Sequence, residues 1–144
     1  MTWDQRYIDL AKHISSWSKD PSTKIGAVAI GKHGQILSTG YNGFPRKIDD
    51  LEERLNNRET KYKYTIHAEM NCIYNASLTG ISLEGATLYV TGLPVCEKCA
   101  LGIIQSGIKN VVMSFPKDLP ENWNISGQMA VEMFMEAGVE VKYV

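Results

Sequence analysis

From His67 to its end the chain alternates between two kinds of hydrophobic spacing, and this alternation constrains the fold more than any other feature. A helical pattern runs from 67 to about 78 and stops near Gly80, and Ala86-Thr-Leu-Tyr-Val-Thr91 then reads as a strand. Residues 96 to 106 are helical again and close on Gly107, after which Val111-Val-Met-Ser-Phe115 is extended. Ser126 is placed to cap a helix reaching Ala137, Gly138 ends it, and 139–143 make the last strand. Upstream, Thr2 and Gln5 have capping-box spacing, and Trp3, Tyr7, Ile8, Ala11, Ile14 and Trp17 recur at helical intervals, predicting a helix over 3–18. Asp20-Pro21-Ser22 breaks it, and two apolar runs around Gly31-Lys-His-Gly34 form a hairpin. A hairpin followed by alternating helices and strands implies an α/β layer fold: a mixed five-stranded sheet with helices on both faces. Residues 40–66 are the least regular segment, with a short helix expected at 50–57, and irregular stretches this long usually serve function.

A chain of 144 residues supports one domain, 1–144, around one core. No stretch approaches the roughly 20 apolar residues of a membrane span, and the polar start Met1-Thr2-Trp3-Asp4 carries no apolar signal core, so a cytoplasmic location is expected. Fifteen Lys plus Arg against sixteen Asp plus Glu give a net charge of -1. That balance argues against a grip on long nucleic acid and favours a small ligand.

The chemistry centres on two short motifs. Cys96-Glu97-Lys98-Cys99 puts two thiols on one face at a helix start, where the partial positive charge of the helix favours the thiolates that bind zinc. Alone, this pair could equally be a redox couple or half of a structural zinc knuckle. The first lacks a thioredoxin-like setting, and the second lacks a further ligand pair. His67-Ala68-Glu69 opens another helix, and its imidazole makes a third ligand. Three protein ligands leave the fourth zinc position to water, as in catalytic sites, and Glu69 is then the base. Residues two apart do not share a helix face, so His67 and Glu69 meet only if the first turn points end-on at the metal. H-x-E followed by C-x-x-C is the signature of zinc nucleobase deaminases.

On these motifs the sequence resembles the cytidine and deoxycytidylate deaminase superfamily. The likeness extends through Ser18-Lys-Asp-Pro-Ser-Thr-Lys24-Ile-Gly-Ala-Val28, Ser38-Thr-Gly-Tyr-Asn42-Gly-Phe-Pro-Arg46, Lys61-Tyr62, His67 to Asn71, Leu88-Tyr-Val-Thr91, and Cys99-Ala100 through Ile103-Ile-Gln-Ser-Gly107, and the stretch 40–46 points to its deoxycytidylate branch. There are two departures: Val95 stands where relatives have Pro before the first cysteine, and Cys72 where they commonly have Ala. The resemblance implies a three-layer αβα fold and hydrolytic deamination of dCMP to dUMP, with one zinc per chain on His67, Cys96 and Cys99 and with Glu69 as proton carrier. It further implies that the Ala68 backbone holds the base edge and Asn42 the deoxyribose hydroxyl. It also implies a homo-oligomer, often a hexamer, with dCTP activation, accompanied by Mg2+, and dTTP inhibition. The 5′-phosphate needs cationic donors; Lys24 and Arg46, within family-like stretches, are preferred to Arg58 and Lys61. The rival readings are a deaminase of another cytosine or purine compound, such as dCTP, 5-modified dCMP or a base in nucleic acid, and a non-catalytic zinc-stabilised module.

The remaining candidates read as packing or solvated groups. His13 and His33 are expected in solvent, Cys72 in the core, and Met70, Ile73, Met129, Met133, Phe134 and Met135 as helix packing residues. The mixed charges of 46–63 read as a solvated face.

Overall fold

A computed structural model describes residues 1–116 and 118–144. Eleven elements follow in chain order: α1 (Trp3–Ser15), β1 (Gly26–Ile30), β2 (Ile36–Tyr41), α2 (Glu52–Leu55), α3 (Arg58–Tyr64), α4 (Ala68–Leu78), β3 (Thr87–Thr91), α5 (Glu97–Gln105), β4 (Asn110–Ser114), α6 (Glu121–Ala137) and β5 (Glu140–Tyr143). They build the mixed five-stranded sheet that the spacing predicts, in the order β2-β1-β3-β4-β5. β1 runs antiparallel to both β2 and β3, whereas β3, β4 and β5 are parallel, joined by crossovers through α5 and α6.

The two-residue period of the strands divides the core in two. Val28, Ile30, Tyr89 and Val112 point to one face and bury Ile8, Ala11 and Ile14 of α1. Ala27, Ala29, Leu88, Val90, Val111 and Met113 point to the other, where α4, α5 and α6 contribute Ala68, Cys72, Ile103 and Phe134. Alanines at 27 and 29 leave room for α4 to lie close to the sheet, and Gly40 of β2 lets it come closer still. A Cβ on Gly40 would lie 2.3 Å from the Cys72 backbone nitrogen. Gly138 ends α6 in the left-handed conformation at φ 79°, as its position predicts.

Several expectations are corrected. α1 ends at Ser15, and both tryptophans of its predicted stripe are exposed, Trp3 by 64% and Trp17 by 54%. Helical spacing placed them, but the buried stripe is full with Ile8, Ala11 and Ile14. Trp3 instead lies beneath the Arg6 guanidinium and beside Tyr7, and Trp17 meets Tyr41 edge-on beyond the helix end. α6 starts at Glu121, directly after Pro120, so Ser126 sits inside the helix. Its hydroxyl is spent on Glu97 of α5, which explains a capping-type residue in mid-helix. Phe134 is fully buried and Met133 packs on the core, but Met129 and Met135 are exposed. The irregular segment holds a second helix, α3, capped by Asn57, whose side-chain oxygen accepts from the Thr60 N–H at 3.1 Å. No helix among the described residues is long and apolar enough to cross a membrane.

Candidate active site

Two helix starts converge at the end of the sheet. His67 occupies the N-cap position of α4 and Cys96 that of α5, where the Cys96 sulfur accepts from the Cys99 N–H at 3.4 Å. The His67 Nδ1 lies 3.5 Å from the Cys96 Sγ and 3.3 Å from the Cys99 Sγ, and all three ligand atoms fall within 4.8 Å of one another. Ligands at zinc–sulfur and zinc–nitrogen bond lengths around a tetrahedral ion are separated by about 3.6 Å, so one zinc fits this NS2 set. Hydrogen bonding from Cys99, opposed by burial and assisted by His67, holds the Cys96 thiol well below its ordinary range. Hydrogen bonding to Cys96, with burial, pushes Cys99 up. The same Cys96 contact raises the His67 pKa.

Glu69 completes the group. It is 3% exposed, its Oε1 is buried with no hydrogen-bond partner among the described residues, and burial pushes its pKa up to about 7. An orphaned buried carboxylate oxygen is costly in a merely structural role. His67 at the N-cap and Glu69 in the first turn of α4 stand close enough for each to shift the other's proton affinity. Ala68, between them, is fully buried, and its N–H is one of the free donors of the helix start. Cys72 is fully buried one turn further on, its thiol pushed up to about 11 by burial and lying 3.1 Å from the Ser38 hydroxyl, outside the ligand group.

His67 lies on the wall of a cleft of about 580 Å³. Asn42 also lines the cleft; its Oδ1 accepts from the Ile25 N–H and its Nδ2 donates to the Thr23 carbonyl, both at 2.9 Å. One amide hydrogen and one lone pair are left for a ligand. Lys24 and Arg46 are not brought here. Lys24 is exposed and donates to the Ser18 carbonyl, while Arg46 donates to Asn75 at 2.5 Å beside a separate hollow lined by Phe44 and Tyr74. In their place α3 supplies Arg58, Lys61, Tyr62 and Thr65. Their i, i+3, i+4, i+7 spacing makes one helix face, and with the Asn57 cap it was the available signal. Asp20 and Trp123, also on the cleft, carried no sequence signal of that kind.

A catalytic NS2 zinc set with an adjacent buried glutamate, on a sheet of this order, defines a zinc-dependent hydrolase of the deaminase class. The chain belongs to the family described as the cytidine and deoxycytidylate deaminase zinc-binding region, whose pattern matches residues 1–115. It is 42% identical to an uncharacterized deaminase in the luxG 3′ region of Aliivibrio fischeri, over 98% of this chain and 92% of that one. With the deoxycytidylate deaminase of Homo sapiens it shares 34% identity, over 81% of this chain and 67% of that one. Among solved structures, the dCMP deaminase of cyanophage S-TIM5 in complex with dCMP and dUMP superposes with a TM-score of 0.78 at 26% identity, covering 97% of this chain and 95% of that one.

Proposed function

We propose that this chain, working as one domain over 1–144, hydrolyses dCMP to dUMP and ammonia, supplying the precursor of thymidylate. The observation that carries the reading is the unpartnered, buried Glu69 oxygen two residues from His67, which belongs to a group of three metal donors and lines a cleft of nucleotide size. Relatives that bear the name deoxycytidylate deaminase and the dCMP complex of a structural neighbour support it. One zinc per chain, held by His67, Cys96 and Cys99, supplies Lewis acidity that lowers the pKa of water.

The chain's own residues do the rest. Glu69 takes a proton from the attacking water, delivers it to N3 of the cytosine, and carries a proton to the amino group at C4 so that ammonia leaves. The buried position of its carboxylate keeps that proton from bulk solvent. The Ala68 backbone meets the base edge, and the free hydrogen of Asn42 the deoxyribose hydroxyl. The enzyme acts in the cytoplasm as a homo-oligomer, a hexamer by family likeness, with dCTP and Mg2+ as activator and dTTP as inhibitor. Ammonia release measured in parallel on dCMP, dCTP, deoxycytidine and CMP tests the substrate. dCMP is expected to be turned over best, and preference for any of the others overturns the assignment.

A further inference from the structure

The loop that leads into the two cysteines is held from outside. Pro94 fixes its own φ, but Val95, between it and Cys96, carries no ring, so nothing covalent sets the direction in which the chain enters α5. α6 supplies the restraint. The Ser126 Oγ accepts from the Glu97 N–H at 3.4 Å and donates to the Glu97 carboxylate. Glu97 is the first residue of α5, and its N–H is one of the donors that a helix start leaves without an intrahelical partner. That N–H belongs to the peptide unit joining Cys96 to Glu97, so one hydroxyl grips both the backbone that carries the first thiol and the side chain that follows it. A serine inside a helix ordinarily returns its hydroxyl to its own backbone, whereas Ser126 gives its hydrogen to α5. The next residue adds a second contact. A Cβ on Gly127 would lie 3.1 Å from the Pro94 Cβ, so a side chain there would hold α6 away from the loop. One turn earlier on α6, Trp123 lines the cleft, so the helix that grips the metal loop also forms part of the ligand wall.

Taking His67, Cys96 and Cys99 as the zinc ligands, as proposed above, we infer that Ser126 is a positioning residue for the thiol pair. By latching the Cys96–Glu97 peptide to α6 it holds the two sulfurs at the spacing one zinc requires and ties them to the wall that carries Trp123. Without the hydroxyl, the Glu97 N–H and carboxylate turn to water. The donor set stays complete, but the start of α5 gains freedom that zinc must then remove on binding. The latch therefore contributes to metal affinity and leaves the identity of the ligands alone. Its effect is smaller than that of a group bonded to a sulfur or an imidazole nitrogen, because it acts through one peptide unit.

The test starts from the zinc-loaded protein and withdraws zinc with a chromophoric chelator in graded excess, which gives the metal affinity without recourse to activity. Ser126→Ala is expected to weaken zinc binding about 10-fold, the lower end of what groups behind the ligands contribute, and to keep stoichiometric zinc when no chelator is present. Alanine is the better helix former, so α6 itself is not weakened, and circular dichroism of the loaded protein should match the wild type. Exchange of zinc for cobalt reads the geometry. The sulfur-to-cobalt charge-transfer and ligand-field bands should shift or broaden in Ser126→Ala, and Ser126→Thr, which keeps the hydroxyl, should return the bands and most of the affinity. In a Glu97→Ala background, where the carboxylate half of the latch is gone, Ser126→Ala should cost less than it does in the wild type. Zinc affinity and cobalt bands unmoved by Ser126→Ala, or an equal cost with and without the Glu97 side chain, would overturn the inference and leave the ligand set standing. Affinity lost alike in Ser126→Ala and Ser126→Thr would overturn it too, because packing and not the hydroxyl would then be at work, as would a Ser126→Ala protein without the native circular dichroism. Wild-type protein that holds no stoichiometric zinc would overturn the ligand set itself, and the inference with it.

Discussion

Replacing Gly40 by Ala tests the claim that the distance between α4 and the sheet sets both stability and the metal site. The added methyl would lie 2.3 Å from the Cys72 nitrogen, 2.5 Å from the Ala68 carbonyl oxygen and 2.9 Å from the Asn71 carbonyl carbon. All three are backbone atoms of α4, so no side chain can turn away to make room. Relief to ordinary contact requires the helix to move by about 1 Å. Overpacking of this kind costs about 1–3 kcal/mol, and rigid backbone neighbours place Gly40→Ala at the upper end. For a chain of this size that lowers Tm by roughly 10 °C. The helix that must move begins with His67 and Glu69, and a misplacement of about 1 Å lowers kcat by on the order of 100-fold. Thermal unfolding by circular dichroism, together with kcat measured well below the lowered Tm, gives the two readouts. Gly43→Ala is the control: its Cβ meets nothing closer than a Tyr41 ring atom at 3.8 Å, and it should change Tm by no more than about 2 °C. A Gly40→Ala protein that melts with the wild type and keeps its kcat refutes the reasoning.

Three further outcomes are expected. Glu69→Gln should retain zinc by metal analysis and still bind dUMP while turnover of dCMP falls by at least about 100-fold; near-normal turnover would place the proton carrier elsewhere. Changing His67, Cys96 or Cys99 to Ala should abolish stoichiometric zinc, whereas Cys72→Ala should keep it, and full zinc in Cys99→Ala would remove that residue from the ligand set. Asp20 responds to acid: burial pushes its pKa up, but the Thr23 and Ser22 N–H groups and Lys61 outweigh it and hold it below the ordinary value. Its stabilising contribution is therefore complete above an unfolded pKa of about 3.9 and disappears as the pH falls through the lower folded value. The pH dependence of urea unfolding below about pH 4 should accordingly be shallower in Asp20→Asn than in wild type, and coincident curves would contradict this.

The sequence carried the sheet, the zinc donors and Glu69 because each rests on a local pattern: two-residue and helical periods, and two motifs at helix starts. It did not carry α3, whose four exposed or polar wall residues make no hydrophobic stripe, nor the start of α6, where a proline without a capping side chain gives a weak signal. Lys24 and Arg46 lie within family-like runs, which favours them for the phosphate on sequence alone. Their positions are decided by long-range contacts, to Ser18 and to Asn75, that no spacing encodes. Lys61 reads as one charge of a solvated face, and only the fold reveals its burial against Asp20, 41 residues earlier.

The central position of β1 bears on how the chain emerges from a ribosome. Val28 pairs with Thr39 on one side and with Tyr89 on the other, so one edge of the strand waits for a partner about sixty residues later in the sequence. At about 5–20 residues per second that wait lasts on the order of 3 to 12 s. Through it the run Ile25-Gly-Ala-Val-Ala-Ile-Gly31, without a charge and buried from Ile25 to Ile30 in the finished protein, has its open edge in water, as aggregation-prone segments do. Lys24 and Lys32 bracket the run, and both are exposed in the finished protein. Their placement is that of gatekeepers, repelling a second nascent or refolding chain from the open edge until β3 closes it.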